Sequence, residues 1–158
     1  MINEMNTEIC SGNLLYEDCI DILKNGLAGV LSTKGEGEYP YAVPVNYVYS
    51  NGSIYIHGKT SGTKIRCIGA DPNVSFTVIG KAELIPEKFN TVYKSVIVYG
   101  KAHMVTDSGK KYNAMKALMD KYSPGIHASC MDSLSRSDDR NLGIIEIAVT
   151  GITGKTND

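Results

Sequence analysis

The 158 residues carry 16 Lys and Arg against 17 Asp and Glu, a formal charge of −1, so no basic face points to nucleic acid and no acidic tail is present. A chain of this length forms one domain able to bury its own core without metal or cross-links. Cys10, Cys19, Cys67 and Cys130 form no C-x-x-C pair, which argues against structural zinc, a thioredoxin motif and a disulfide framework and fits reduced thiols in the cytoplasm.

Residues 1–12 are polar, lack periodicity and an apolar signal core, and are expected to form a loose arm. No apolar run is long enough to span a bilayer, so a cytoplasmic protein without a membrane partner is expected. From Leu15 the positions Leu15, Cys19, Ile22 and Leu23 mark one face of a helix ended by Asn25-Gly26. Residues 27–33 read as a short apolar strand. After the charged turn 34–38, residues 39–49 read as a second strand with Tyr41, Val43, Val45, Tyr47 and Tyr49 on one face. Pro44 donates nothing to a ladder, so this strand belongs at an edge, at a bulge, or where something docks. Asn51-Gly52 is a tight hairpin turn, because both residues tolerate positive φ. It returns the chain through Ile54 to His57 and places His57 near residues 44–47.

The strongest chemical signal is in residues 54–72. They predict a strand ending in His57, a polar turn with Gly58 and Gly62, and a helix that opens at 60–62 and stops before Asp71-Pro72. A helix start exposes unpaired N–H groups and partial positive charge, so this turn can hold a phosphate, with Lys59 and Lys64 as counter-charges. The same Gly and Thr also serve as ordinary caps and the lysines as solvated side chains, and spacing alone leaves both readings open.

Residues 73–79 read as a strand, 81–91 as an irregular connection with Pro86, and 92–106 as a long alternating strand that bends at Gly100. Asp107-Ser108 cap a helix with the stripe Tyr112, Met115, Leu118, Met119 and Tyr122. Residues 123–141 have no pattern and are a candidate lid or subunit contact. Residues 142–150 form a closing strand, followed by a polar tail. Hairpin-linked strands with few, peripheral helices predict a closed antiparallel barrel with helices at its ends. His57, His103 and His127 are too scattered to form a metal cluster, and no metal is expected.

The segments DCIDILKNGLAGVLST, YPYAVPVNYVY, IYIHGKTSGTKIRCIGADPNVSF, YKSVIVYGKAHMV and IIEIAVTGITGK, in this order and spacing, resemble the FMN-binding split-barrel superfamily. The branch they resemble is the one related to pyridoxamine phosphate oxidase and the nitroimidazole-resistance proteins. The resemblance implies a mainly β fold with peripheral helices: a six-stranded antiparallel split barrel over residues 13–158, homodimeric, with FMN in grooves at the subunit interface. By the same resemblance, Pro44, Val45, Asn46 and Tyr47 run along the flavin ring and ribityl chain, and His57 and Gly58 border the flavin. The turn with Ser61, Gly62, Thr63 and Lys64 binds its phosphate, Lys59 adds to the local field, and Ser95 and Tyr99 face the flavin from the long strand.

Two departures bear on function. Pyridoxamine phosphate oxidases grip their substrate's phosphate with a C-terminal Trp and Arg segment, whereas this chain has no Trp and ends ITGKTND. Their phosphate turn sets Arg beside Lys where this one has Thr63. Vitamin B6 oxidation is therefore disfavoured, while His57 is shared with the nitroimidazole-resistance group. The expected activity is FMN-dependent reduction of a small electrophile such as a nitroaromatic, with NAD(P)H or another reductant recharging the flavin and His57 donating a proton. The alternatives are a flavin sensor or store without turnover, a barrel holding haem or a deazaflavin, and a structural dimer with an empty groove. Residue by residue, the competing roles are a strand cap for His57, a bulge partner for Asn46 and a solvated helix lysine for Lys64.

Overall fold

Two fifteen-residue strands, β7 (Asn90–Met104) and β8 (Leu142–Thr156), form the spine of the sheet. The computed structural model describes residues 10–126 and 142–157. In chain order, β1 (Cys10–Gly12), α1 (Tyr16–Asn25), β2 (Gly29–Thr33), β3 (Tyr41–Val45), β4 (Val48–Ser50), β5 (Ser53–Lys59), α2 (Thr63–Ala70) and β6 (Asn73–Ile85) precede β7, and α3 (Ser108–Tyr122) lies between β7 and β8. Antiparallel pairing sets the strands in the order β3-β2-β6-β7-β8-β5-β4, and β1 joins β8 in parallel, Cys10 opposite Ile152 and Gly12 opposite Gly154.

The alternation that predicts strands also builds the core. Val74, Phe76 and Val78 of β6, Val96 and Val98 of β7, and Ile145 and Ile147 of β8 enclose one apolar cluster, which Cys19 and Leu23 of α1 close. Each fully buried branched side chain contributes roughly 2 kcal/mol. The opposite face of β5 and β8 is covered as well, since Tyr55 and Ile144 pack against Ala114 and Leu118 beneath α3. Burial on both faces makes β5 a rigid support for the corner at its C-terminal end.

Several local expectations are met. Asn51 and Gly52 take φ of 50° and 76° between the paired Ser50 and Ser53. Asp107 caps α3 by accepting from Lys110 N at 2.7 Å. The register of β7 on β8 shifts between Tyr99 and Gly100, where a Cβ on Gly100 would meet Ala148 O at 2.4 Å. Gly26 ends α1, its N–H bonding Ile22 O at 2.9 Å, but its φ of −63° needs no glycine. Space does: a Cβ there would lie 2.6 Å from both Tyr47 Oη and Val78 Cγ1.

The structure corrects the expected six-stranded closed barrel. The described residues form eight strands, and the seven-strand path ends at β3 and β4, which do not pair with each other; the barrel is open along that seam. The strand expected over 39–49 breaks at Asn46 and Tyr47 because Tyr47 is drawn into the core. Its hydroxyl donates to Leu23 O at 2.6 Å, and its ring meets Phe76 edge-on with centroids 4.8 Å apart. The irregular connection expected over 81–91 is mostly ladder. β6 and β7 stay paired out to Ile85 and Asn90, and only Pro86–Lys88 makes a single 3-10 turn. Both faces of this arm are largely exposed, so it carries no apolar alternation to read. β8 likewise runs through the expected tail, with Lys155 opposite Ser95 of β7. The described end of the expected N-terminal arm, Cys10–Gly12, is β1. Residues 127–141, with His127 and most of the candidate lid, lie outside the described residues. No helix among the described residues is long and apolar enough to cross a membrane.

Candidate functional site

His57, Gly58 and Lys59 end β5, and the exposed corner of Thr60, Ser61 and Gly62 turns the chain into α2. Gly62 has φ 119° and ψ 178°, a backbone region open only to glycine. The N-cap of α2 is Gly62, which has no side chain to cap it, and the first intrahelical bond runs from Arg66 N to Gly62 O at 3.0 Å. The first-turn amides therefore have no intrahelical acceptor. Lys64 curls back from that turn over β5, its Nζ standing 3.5 Å from where a Gly58 Cβ would be. The side chain is half-buried, and desolvation pushes its ammonium below the usual lysine range. Among the described residues it makes no hydrogen bond or ion pair, so a desolvated cation and the first-turn amides of α2 face the same corner.

The charged turn between β2 and β3 fixes this helix from outside. Arg66 Nε donates to both carboxylate oxygens of Glu36, at 3.0 and 2.9 Å, and its NH2 group donates to Thr63 Oγ1 at 3.1 Å. At the other end Lys34 Nζ lies 2.7 Å from Asp71 Oδ2. Lys34 and Asn73 hold the Asp71 carboxyl down to about 2. Both flanking cations are thus already paired, in contrast to Lys64.

The other expected site residues divide into two groups. Pro44 is exposed on edge strand β3 opposite Val30, Val45 is half-buried, and Asn46 is exposed. The β4–β5 ladder ends at Val48 opposite Tyr55; continued by two positions it would set Asn46 against His57, so these residues border one edge of the seam. Tyr47 belongs to the core: its side chain is fully buried, and its backbone N–H and C=O are both engaged by α3. Ser95 and Tyr99 are elsewhere. Ser95 lies opposite Lys155 and Tyr99 opposite Gly151, whereas His57 lies opposite Ile144. At roughly 3.3 Å per residue those positions are about 36 and 23 Å from Ile144 along β8. Tyr99 instead lines a cleft of about 480 Å³ with Lys34, Asn73, Ser75 and Thr150.

Two residues that the sequence does not mark as part of the site hold its edge. Tyr122 Oη accepts from Tyr47 N at 2.9 Å and lies 2.7 Å from Leu27 O and 2.8 Å from Tyr47 O. Lys121 Nζ donates to Gly26 O at 2.6 Å and Tyr47 O at 2.9 Å, and sits 4.0 Å from the centre of the Tyr47 ring. The one sequence signal here is the apolar periodicity of α3, which marks Tyr122 as packing without indicating its polar partners.

A separate polar cluster lies under the start of α3. Glu146, 4% exposed, accepts through Oε1 from Ser53 Oγ at 2.9 Å and Tyr55 Oη at 3.2 Å. Its Oε2 pairs with Lys110 Nζ at 2.6 Å and lies 3.1 Å from His103 Nε2, both outside good hydrogen-bonding directions. His103 thus lies against Glu146, and among the described residues no three His, Cys, Asp or Glu side chains gather as metal ligands would. Cys67 is buried within α2.

A family model described as pyridoxamine 5'-phosphate oxidase matches residues 16–156. Among solved structures the chain is similar to a candidate 5-nitroimidazole antibiotic resistance protein of Bacteroides thetaiotaomicron, with 22% identity over 89% of this chain and 82% of that one and a TM-score of 0.74. It is also similar to a FAD-binding protein of Mesorhizobium loti (23% identity, 92% and 96% covered, TM-score 0.61) and to a FAD and heme binding protein of Mycobacterium smegmatis (16%, 89% and 70%, TM-score 0.68). At these identities the likeness is one of fold. No curated protein matches the chain.

Proposed function

Because the chain belongs to the pyridoxamine 5'-phosphate oxidase family, we propose that it is a homodimeric split-barrel flavoprotein that binds FMN and reduces a small electrophile such as a nitroaromatic, at the expense of a nicotinamide or other reductant. The observation that carries this reading is Lys64: a half-buried ammonium without a partner among the described residues, folded back over Gly58 at the start of α2, whose N-cap is a glycine. A phosphate dianion supplies what that corner lacks, namely acceptors for the amides and a counter-charge for the lysine. The hydroxyls of Ser61 and Thr63 are exposed beside it and Lys59 adds to the field.

Bound FMN would supply the electron transfer. The chain's own residues bind, orient and move protons. Lys64 and the α2 amides fix the phosphate end, and Pro44, Val45 and Asn46 border the ring. His57, exposed at the end of β5, donates a proton to the reduced substrate, the task for which imidazole is suited near neutral pH.

Two features support the dimer. Ser95 and Tyr99 are too far along the sheet to meet His57 within one chain, so a second copy would bring them to the flavin that the family resemblance has them face. The β6–β7 arm also exposes Ile79, Leu84 and a fully exposed Phe89, apolar surface that a partner copy would cover. Titration with FMN during sedimentation tests the whole reading: a dimer binding one FMN per chain is expected. A monomer, or a chain that leaves FMN fluorescence unchanged, contradicts it.

A further inference from the structure

At the break between β3 and β4 the backbone has lost its neighbouring strand, and the last turn of α3 takes that strand's place. Tyr122 Oη lies within hydrogen-bond distance of Tyr47 N, Tyr47 O and Leu27 O, at 2.9, 2.8 and 2.7 Å, but has a single proton to give. Lys121 Nζ reaches Gly26 O and Tyr47 O at 2.6 and 2.9 Å. One assignment serves every group once: Tyr122 accepts from Tyr47 N and donates to Leu27 O, while Lys121 donates to Gly26 O and Tyr47 O. With its N–H held by Tyr122, its C=O by Lys121 and its hydroxyl on Leu23 O at 2.6 Å, Tyr47 has the peptides on both of its sides fixed. The tyrosine side chain then points into the core, leaving Asn46 exposed at the seam.

We infer that Lys121 and Tyr122 are positioning residues for the ring end of the flavin site, holding the two peptides that flank Tyr47 in the orientation that presents Asn46 to the ligand. The inference rests on the flavin reading and adds two residues, more than seventy positions away in sequence, that touch no ligand themselves. They work on the ring and not on the phosphate, which separates them from Lys64.

The test uses the full chain and two probes, FMN and riboflavin, which differ only in the phosphate. Tyr122→Phe is expected to weaken both about tenfold, the scale of a buried hydrogen bond left unmade, so their affinity ratio stays at the wild-type value. It should also shift the visible band of the bound flavin and speed exchange of the Tyr47 amide in the flavin-free protein. Lys64→Ala, in contrast, should bring FMN down towards riboflavin. Lys121→Met keeps the side-chain stem and carries the same test should Tyr122→Phe fail to fold. Faster Tyr47 exchange with both affinities and the visible band unchanged would overturn the inference alone. A wild-type chain that binds neither probe would overturn the flavin reading and this inference together.

Discussion

Lys64 and Lys121 occupy opposite ends of two helices and are alike in one respect: each is half-buried, and desolvation pushes each ammonium below the usual lysine range. Their surroundings differ. Lys121 has Gly26 O at 2.6 Å, Tyr47 O at 2.9 Å and the Tyr47 ring beneath it, whereas Lys64 faces the bare backbone of Gly58 with no partner among the described residues. In one place the protein answers the cost of desolvation itself. In the other, on the proposed reading, a ligand does. Depressed lysine titration alone does not distinguish a site from a structural clamp, and the count of acceptors around the nitrogen does.

Substitutions at the two lysines should therefore part company. Lys64→Ala is expected to lower FMN affinity by about a hundredfold, as loss of a charge-assisted hydrogen bond to an anion does; calorimetric titration giving a value within twofold of wild type would place the phosphate elsewhere. His57→Ala should retain FMN yet slow reduction of a nitroaromatic acceptor by about a hundredfold, and equal loss of flavin in the two variants would erase the division of labour. Lys121→Met should instead cost stability, about 2 kcal/mol in urea unfolding, because two carbonyl groups lose their donor.

Glu146 gives a third arrangement, a buried charge whose partner is present. Burial pushes its carboxyl up, but Lys110 and the hydroxyls of Ser53 and Tyr55 outweigh burial and leave it below the ordinary value of 4.5. A carboxyl depressed in the folded state contributes stability that is whole above its unfolded value and is lost as the pH falls through the folded one. Wild-type stability should thus decline below about pH 4.5, and Lys110→Ala should move the midpoint of acid unfolding to higher pH. An unchanged midpoint in far-UV circular dichroism would show that the pair contributes nothing to folding.

The parts of this molecule that can be read from sequence are those whose cause is local. Asn51-Gly52, the Asp107 cap and the glycine corner before α2 each depend on residues a few positions apart. The break after β3 is not readable, since Val45, Tyr47 and Tyr49 continue a faultless alternation; the inward pull comes from Leu23, Phe76 and Tyr122, all distant in sequence. Lys121 by pattern is an ordinary helix lysine, and only the approach of α3 to the seam gives it acceptors. The β6–β7 arm escapes for the opposite reason, because a two-stranded ladder exposed on both sides needs no apolar period. On the site itself, the corner from Gly58 to Lys64 is legible as one unit. That Ser95 and Tyr99 lie far from it is not, because separation along β8 depends on strand register.

The smallest effect is the sharpest check on the comparison of the two lysines. Lys64→Met preserves the apolar stem but removes a desolvated charge that no described residue compensates, so the flavin-free protein should be unchanged or gain about 0.5 kcal/mol, within the range of substitutions that break no contact. The same replacement at Lys121 is destabilising because it strands acceptors, and the opposite signs come from chemically identical changes at comparably buried positions. Adding FMN should reverse the order: wild type gains thermal stability by mass action on the folded state, and Lys64→Met gains little. Were Lys64→Met instead to destabilise the flavin-free protein by as much as Lys121→Met, Lys64 would have a partner within the chain and the corner would be a structural clamp like the one on α3.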